Sequence, residues 1–370
     1  MTAGSLTAVL AVLLLGVVIC VSPALTRPTL QFGVRVPPQR TGAAVIRRER
    51  RAYYRRTAAV AVCCTGAALG LALAGSGSAA LTAVMLPAEL AVGLGCFWVA
   101  RERIAAAKNA ERWFDGLRQA VSVDTSWRTE PLRFPVAWLI PPVAVLVATV
   151  VVGVARYPDL PSRLAVGFAA SGAPDRWVRK SVWGAFSKVA GQLWVTSLWT
   201  GLLLIIYRSR PDTDAAEGAD STRRYRGFLA AYSRGLLLLV TLVNVSLLLA
   251  ALKTWQVYRL SGIAVALPVL PAAVGLLVLV VVAVRTGQAG SRLPGPAGRR
   301  SGVPQANRDD DRFWKGGLIY INRDDPAIMV GNRFGVGWTP NLGNPKACLL
   351  YGGILAAIIA LIVVRIVAGT

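Results

Sequence analysis

Residues 135–155 read PVAWLIPPVAVLVATVVVGVA, an apolar run without one charged side chain. A helix needs about 20 predominantly apolar residues to cross the hydrocarbon core of a bilayer, so this run is long enough to span by itself. Seven further stretches of the same kind lie at 4–25, 57–75, 80–100, 190–207, 228–252, 262–283 and 347–367. The expected fold is therefore an all-α polytopic membrane protein with about eight transmembrane helices. Composition agrees: a chain that is 55% hydrophobic and 16% charged holds more apolar surface than one soluble core of this length uses, and the surplus faces lipid.

Working outward from the spans, the charge pattern sets an expected topology. The net charge is +23, a balance that elsewhere suggests phosphate binding. Here roughly 32 of the 41 Lys and Arg fall in 27–56, 101–134, 208–234 and 284–346, and about 9 in the alternate segments, the bias that keeps loops in the cytoplasm. Both termini are then expected outside, and no direct nucleic-acid partner is expected. The first span is not a cleaved leader by its flanks: nothing basic precedes it, while Arg27, Arg35, Arg40 and a run from Arg47 to Arg56 follow it, the reverse of the signal-peptide order.

Absences narrow the chemistry. There is no histidine, hence no Ser-His-Asp triad and none of the commonest metal ligand. The five cysteines (Cys20, Cys63, Cys64, Cys96, Cys348) lie in or at the ends of spans without C-x-x-C spacing and read as small packing residues. No phosphate-binding glycine loop occurs. We expect no enzyme, cofactor or metal centre.

The expected organisation is a three-helix region with basic loops (1–134), a membrane domain 135–207 with an ordered external loop 156–190, two more spans (208–283), a flexible linker (284–308), a small cytoplasmic domain (309–346) and the last span (347–370). The basic loops 26–56 and 101–134 are long enough for interfacial helices, with Tyr53, Tyr54, Trp113 and Trp127 at headgroup level. The external loop carries Tyr157-Pro158-Asp159-Leu160-Pro161, then Gly172, Pro174, Asp175, Arg176 and Trp177, then Lys180 and Ser181. X-Pro pairs restrict their neighbours to extended conformations, and Gly172 can adopt positive φ, so this loop is expected to be ordered. In the segment 309–346, residues 318–321 and 327–330 are expected to pair as a hairpin, with Trp314, Tyr320, Phe334 and Trp338 covering a face. A short echo of seven residues links Phe32-Gly33-Val34-Arg35-Val36-Pro37-Pro38 with Phe334-Gly335-Val336-Gly337-Trp338-Thr339-Pro340 and suggests a shared membrane-proximal turn.

The Tyr157-Pro-x-Leu-Pro161 and Gly172-x-Pro-Asp-Arg-Trp177 pattern, with Lys180-Ser181 before the next helix, resembles the uncharacterised membrane domain shared with the SdpI family of bacterial immunity and signalling proteins, over about residues 135–207. That family's loop usually has Pro and His after the Leu-Pro pair, and here Leu164 to Phe168 stand there instead. Asp309-Asp310, Trp314, Gly317, Tyr320, Asn322, Asp325-Pro326, Arg333, Gly335, Gly337-Trp338 and Asn341 resemble a second uncharacterised domain, found near the carboxyl end of membrane proteins of Gram-positive bacteria. The resemblance implies a multi-pass protein of the bacterial cytoplasmic membrane with a receptor-like architecture, and assigns no reaction.

Three candidate sites follow. The external loop (Tyr157, Pro158, Asp159, Pro161, Gly172, Pro174, Asp175, Arg176, Trp177, Lys180) is a candidate for binding a secreted peptide or another extracytoplasmic ligand, and its cations for lipid headgroups. Trp314, Tyr320, Asn322, Asp325, Arg333 and Trp338 are candidates for docking a cytoplasmic protein, since aromatics and Arg dominate interface energies; Asp309, Asp310, Asp311, Asp324 and Asp325 lack the spacing of a calcium loop. Glu89 lies mid-span, where an acid costs about 2.5–3.5 kcal/mol. It reads either as a proton- or cation-coupled transport site or as a neutral carboxyl held by Gln192 or Asn244. The leading expectation is a non-enzymatic sensing, immunity or signalling protein; transport through Glu89 is the alternative.

Overall fold

The computed structural model describes residues 3–75, 78–120, 132–168, 173–209, 211, 213, 218–258, 267–294 and 305–367. The chain is mostly helical: α1 Ala3–Leu25, α2 Ala44–Leu73, α3 Ser78–Ala110, α4 Ile140–Arg156, α5 Val182–Arg208, α6 Gly218–Thr254, α7 Leu270–Thr286 and α8 Pro345–Val367. Seven are long and apolar enough to cross a membrane, and Pro345–Ala360 of α8 is a shorter apolar helix.

The helices outrun the apolar stretches that announce them. α2 starts at Ala44 instead of near 57, α3 continues past Arg101 and Arg103, α5 starts at Val182 instead of near 190, and α6 starts at Gly218 instead of near 228. Hydropathy marks only the part that meets hydrocarbon, whereas backbone hydrogen bonding continues into water through Ala, Arg, Lys and Glu, which are good helix formers. Parts of the basic stretches expected to carry separate interfacial helices, 44–56 and 101–110, are thus extensions of α2 and α3. Burial repeats along α2 at Ile46, Glu49, Tyr53 and Thr57, which keeps one face against its neighbours. Of the expected flexible linker, residues 284–294 are ordered, with Gln288 fully packed; Trp127 lies outside the described residues.

α1, α2 and α3 pack against one another, and α6 is the hub for α4, α5 and α7. In the first bundle, Ala8, Val9 and Val12 meet Ala68 and Ala72; small residues let helix backbones approach where lipid supplies no hydrophobic drive. Val62, Leu73, Val147 and Leu277 point outward, as lipid-facing side chains do. The second bundle has a polar centre. Gln192 Nε2 donates to Thr149 Oγ1 (2.9 Å) and to the Asn244 carbonyl (2.8 Å), and Asn244 Nδ2 donates to Thr196 Oγ1 (2.9 Å) and the Pro142 carbonyl (3.1 Å). These bonds tie α4, α5 and α6 together.

The strands are short pairs. β1 (Leu30–Gln31) and β2 (Val34–Arg35) are antiparallel, as are β4 (Arg163–Phe168) with β5 (Pro174–Arg179), β7 (Trp314–Lys315) with β8 (Ile319–Tyr320), and β9 (Met329–Gly331) with β10 (Trp338–Pro340); β3 (Arg118–Ala120) runs parallel to β6 (Gln305–Asn307). The expected pairing of 318–321 with 327–330 is corrected. Residues 319–320 fold back on 314–315 because Gly316 and Gly317 both take positive φ (58° and 74°), a tight reversal open to Gly, and 329–331 pair with 338–340 instead.

Candidate functional site

The loop after α4 is built as a β-hairpin, with Arg163 opposite Arg179, Leu164 opposite Val178 and Ala165 opposite Trp177, and with register shifts between Ala165 and Phe168. Its inner face is anchored: Leu160 and Leu164 pack with Ala185, Ala251 and Trp255, and Trp255 Nε1 donates to the Ala185 carbonyl (3.0 Å). Lys180 serves the architecture. Its Nζ donates to the carbonyls of Pro158 (3.1 Å) and Leu160 (2.9 Å) and lies 5.0 Å above the Tyr157 ring, so it pins the Pro-rich turn. Ser181 caps α5 by accepting from the Gly184 N–H (3.0 Å).

The outer face is different. Pro158, Asp159, Pro161, Arg163, Pro174, Arg176, Trp177 and Arg179 are exposed, and Trp177 is 49% accessible. Arg163 and Arg179 sit directly opposite each other, an unfavourable like-charge pair, and neither they nor Arg176 has an acidic partner among the described residues. Tyr157 is half-buried, 5.8 Å from the Phe186 ring. Gly172 lies outside the described residues, as does the Asp175 side chain.

At the other end of α6, residues 309–344 form a unit whose centre is a buried charge network. Arg333 is 1% exposed, pairs with Asp310 and Asp311, donates to the Gly33 carbonyl (2.9 Å) and stacks 4.7 Å from the Trp314 ring. Arg35 Nε meets Asp310 at 2.9 Å, and the Arg35 backbone N–H donates to Asp311 at 3.0 Å. Lys108, near the end of α3, meets Asp309 at 2.7 Å and Asp311 at 2.6 Å. Burial opposes ionisation of both acids, but Arg35 and Arg333 around Asp310, and Arg333 and Lys108 around Asp311, outweigh it and hold both below the usual carboxylate range. Burial and the Arg35 charge pull the Arg333 guanidinium down, and the two aspartates hold it up.

This network joins the loop after α1, the end of α3 and the carboxyl-terminal unit. A second attachment reaches the other bundle: Gln288 exchanges a pair of hydrogen bonds with the Gly337 backbone (2.9 and 2.8 Å), and Trp338 packs 5.5 Å from the rings of both Phe228 and Tyr232 on α6. The echo between 32–34 and 334–336 has a spatial counterpart. Phe32 stacks on Phe334 at 6.4 Å, and Gly33 and Gly335 take φ of 75° and 74°, so two similar turns meet face to face among Tyr53 and Phe97.

The residues chosen from sequence for partner docking point inward. Trp314, Tyr320 and Arg333 are buried and Trp338 is half-buried. Tyr320 OH donates to Asp325 (2.9 Å) and accepts from Asn322 (3.1 Å). Burial, offset by the Asn322 bond and reinforced by the Asp325 charge, raises that hydroxyl to about 12 and keeps it a donor. Asn341, fully buried, donates to the carbonyls of Asn322 (2.8 Å) and Asp325 (3.0 Å) and staples the turn. Lys108 and Gln288 were not singled out from sequence; Asn341 entered only through the second domain resemblance, and Arg35 only as a cation after the first span and a member of the echo around Phe32.

Glu89 is 2% exposed in the α1–α3 bundle, beside Gly16, and neither carboxyl oxygen has a hydrogen-bond partner among the described residues. It does not meet Gln192 or Asn244. Those residues belong to the other bundle and are engaged with Thr149 and Thr196.

Residues 144–190, covering most of α4, the hairpin and the start of α5, match a domain of unknown function, DUF1648. Residues 323–347, from the turn after β8 to the start of α8, match a family of unknown function, DUF5808. No significant match to a curated protein or to a solved structure was found. The two similarities thus fall on separate regions, one around the arginine-rich hairpin and one within the unit that attaches to both helix bundles.

Proposed function

We propose that this is a non-enzymatic bacterial cytoplasmic-membrane protein of sensing or immunity, with the β4–β5 hairpin and both termini outside and the 309–344 unit inside. The observation that carries the reading is the placement of α6. This helix is 37 residues long, roughly 55 Å at 1.5 Å per residue. Its carboxyl end holds the hairpin through Lys253, 3.8 Å above the Phe168 ring, and through Trp255. Its amino end holds the inner unit through Phe228 and Tyr232. One long helix therefore touches both the hairpin whose outer face is offered to a ligand and the unit that would report it. The likeness of the loop to the SdpI family of immunity proteins supports an extracytoplasmic ligand, and the ligand proposed is a secreted peptide. An inner protein partner would meet the exposed Ile319, Ile321 and Leu342 instead of the buried aromatics.

Trp177→Ala is expected to lower survival of protein-producing cells challenged with a secreted peptide toxin by about tenfold, the scale of losing one exposed aromatic anchor, at unchanged abundance in the membrane. Wild-type survival in Trp177→Ala, Asp175→Ala and Gly172→Val alike would sink the ligand assignment.

A second reading, transport through Glu89, is favoured by one observation: a mid-span carboxyl with both oxygens buried and without a hydrogen-bond partner among the described residues. It demands flux of protons or a cation that Glu89→Gln abolishes, since the amide keeps the volume but not the titratable proton. The sensing reading expects reconstituted vesicles to show no Glu89-dependent flux by an internal pH-sensitive dye. A robust flux lost in Glu89→Gln would replace it with transport.

A further inference from the structure

We infer that the amino-terminal turns of α2 form a binding site for the phosphodiester of an anionic phospholipid headgroup. Ala44, Arg47, Arg48, Arg51, Ala52 and Arg55 line a groove of about 380 Å³ on one side of the helix. Their spacing of three and four residues places them on one face. The opposite face, Ile46, Glu49, Tyr53 and Thr57, is buried against the bundle. The two alanines leave a shallow floor, and the side chains of the four arginines line the groove around it.

Charge and depth agree on the occupant. Glu49 is the sole acid between 44 and 56; it is 1% exposed and turned inward to Arg103 (3.1 Å), with Arg48 reaching it at 3.2 Å. Arg47 spends one donor on the Gly42 carbonyl (2.6 Å). Arg51 and Arg55 are exposed and have no acidic partner among the described residues, so their forks are free for the two non-bridging oxygens of a phosphate, a geometry that Arg matches in bidentate fashion. The apolar part of α2 begins at Thr57, which sets Arg51 and Arg55 within two turns of the hydrocarbon edge, at headgroup level. Basic clusters immediately beside a transmembrane segment attract anionic lipid in this way. A soluble anion would find the same forks, but not the adjoining acyl region against Val62 and the other outward-facing side chains of α2.

Native mass spectrometry of the purified full chain, mixed separately with phosphatidylglycerol, cardiolipin and phosphatidylcholine, tests the site. The wild-type protein is expected to retain the two anionic lipids over phosphatidylcholine, and Arg51→Gln/Arg55→Gln to reduce that retention about tenfold at an unchanged melting temperature. Ala44→Leu/Ala52→Leu, which fills the floor and leaves every charge, is expected to reduce it as well and covers the case in which the arginine variant folds poorly. Equal retention of phosphatidylcholine, or full retention of anionic lipid by both variants, would overturn the assignment. So would protection against thermal unfolding by millimolar inorganic phosphate without lipid retention, which would identify a free-phosphate site instead.

Discussion

Arg333→Leu is expected to release the carboxyl-terminal unit from the loop after α1 and to destabilise it by about 3–5 kcal/mol, the usual cost of removing one partner from a buried ion pair. The size follows from what remains behind. Asp310 and Asp311 keep Arg35 and Lys108, which places the loss toward the lower end, but the Gly33 carbonyl and the Trp314 ring lose their cation as well. Deuterium exchange of the amides between 310 and 344 reads this directly, because local opening is what exchange reports. Arg333→Lys should fall between wild type and Leu, since an ammonium keeps the charge but cannot fork to both aspartates. Wild-type protection in Arg333→Leu would mean that the network does not hold the unit in place.

The same network gives a pH dependence with a defined sign. Asp310 and Asp311 have folded-state values below the ordinary carboxylate range, so they bind protons less readily folded than unfolded. Their contribution is complete above the unfolded value of about 3.9 and is lost as pH falls through the folded values. Attachment of the unit is therefore expected to be constant near neutrality and to weaken below about pH 4, an effect that Asp310→Asn/Asp311→Asn should flatten.

The membrane class and the approximate number of spans were legible because hydrocarbon imposes one strong rule, an unbroken apolar stretch of sufficient length. Helix ends were not, because Arg47 to Arg56 and Arg101 to Lys108 read as loop by hydropathy and continue as helix by backbone hydrogen bonding. Pro158, Pro161 and Pro174 marked a turn and extended backbone in the loop after α4, where the structure has the turn pinned by Lys180 and the start of β5. Its strands were missed, because Arg163–Phe168 has neither a clean alternation nor a two-residue turn after it. The aromatic and Arg residues of the carboxyl-terminal unit were identified as special, yet their direction was misjudged. Trp314 and Arg333 look like interface anchors in sequence and become interior residues once Arg35 and Lys108, hundreds of residues away, close over Asp310 and Asp311. Long-range charge pairing leaves no local pattern. The repeated Phe-Gly was the only nearby trace of that contact, and seven residues of similarity could not say that the two copies touch.

Gly33→Val is expected to undo the same contact from the opposite side. Phe32 and Gly33 join β1 to β2 in a two-residue turn with φ of 49° and 75°, the positive-φ pair of a type I′ hairpin. Phe32 accepts this conformation because its ring is fully buried and packs with Tyr53 (5.1 Å) and Phe97 (6.1 Å). Gly33 has no margin left. A Cβ there would sit 2.6 Å from the Gly317 carbonyl oxygen and 2.8 Å from its Cα, and Gly317, itself at φ 74° and backed by Arg101, cannot yield by rotating a side chain. A β-branched residue adds strain of about 1–3 kcal/mol for the backbone conformation alone, with the clash on top. Either the turn or the β7–β8 reversal must move, and the Gly33 carbonyl then leaves Arg333. Gly33→Val should accordingly raise deuterium exchange in both 30–36 and 314–320 together, whereas Gly42→Val, with open space around its Cβ, should leave both segments protected. Exchange confined to 30–36 would mean that the two turns are neighbours without being interlocked.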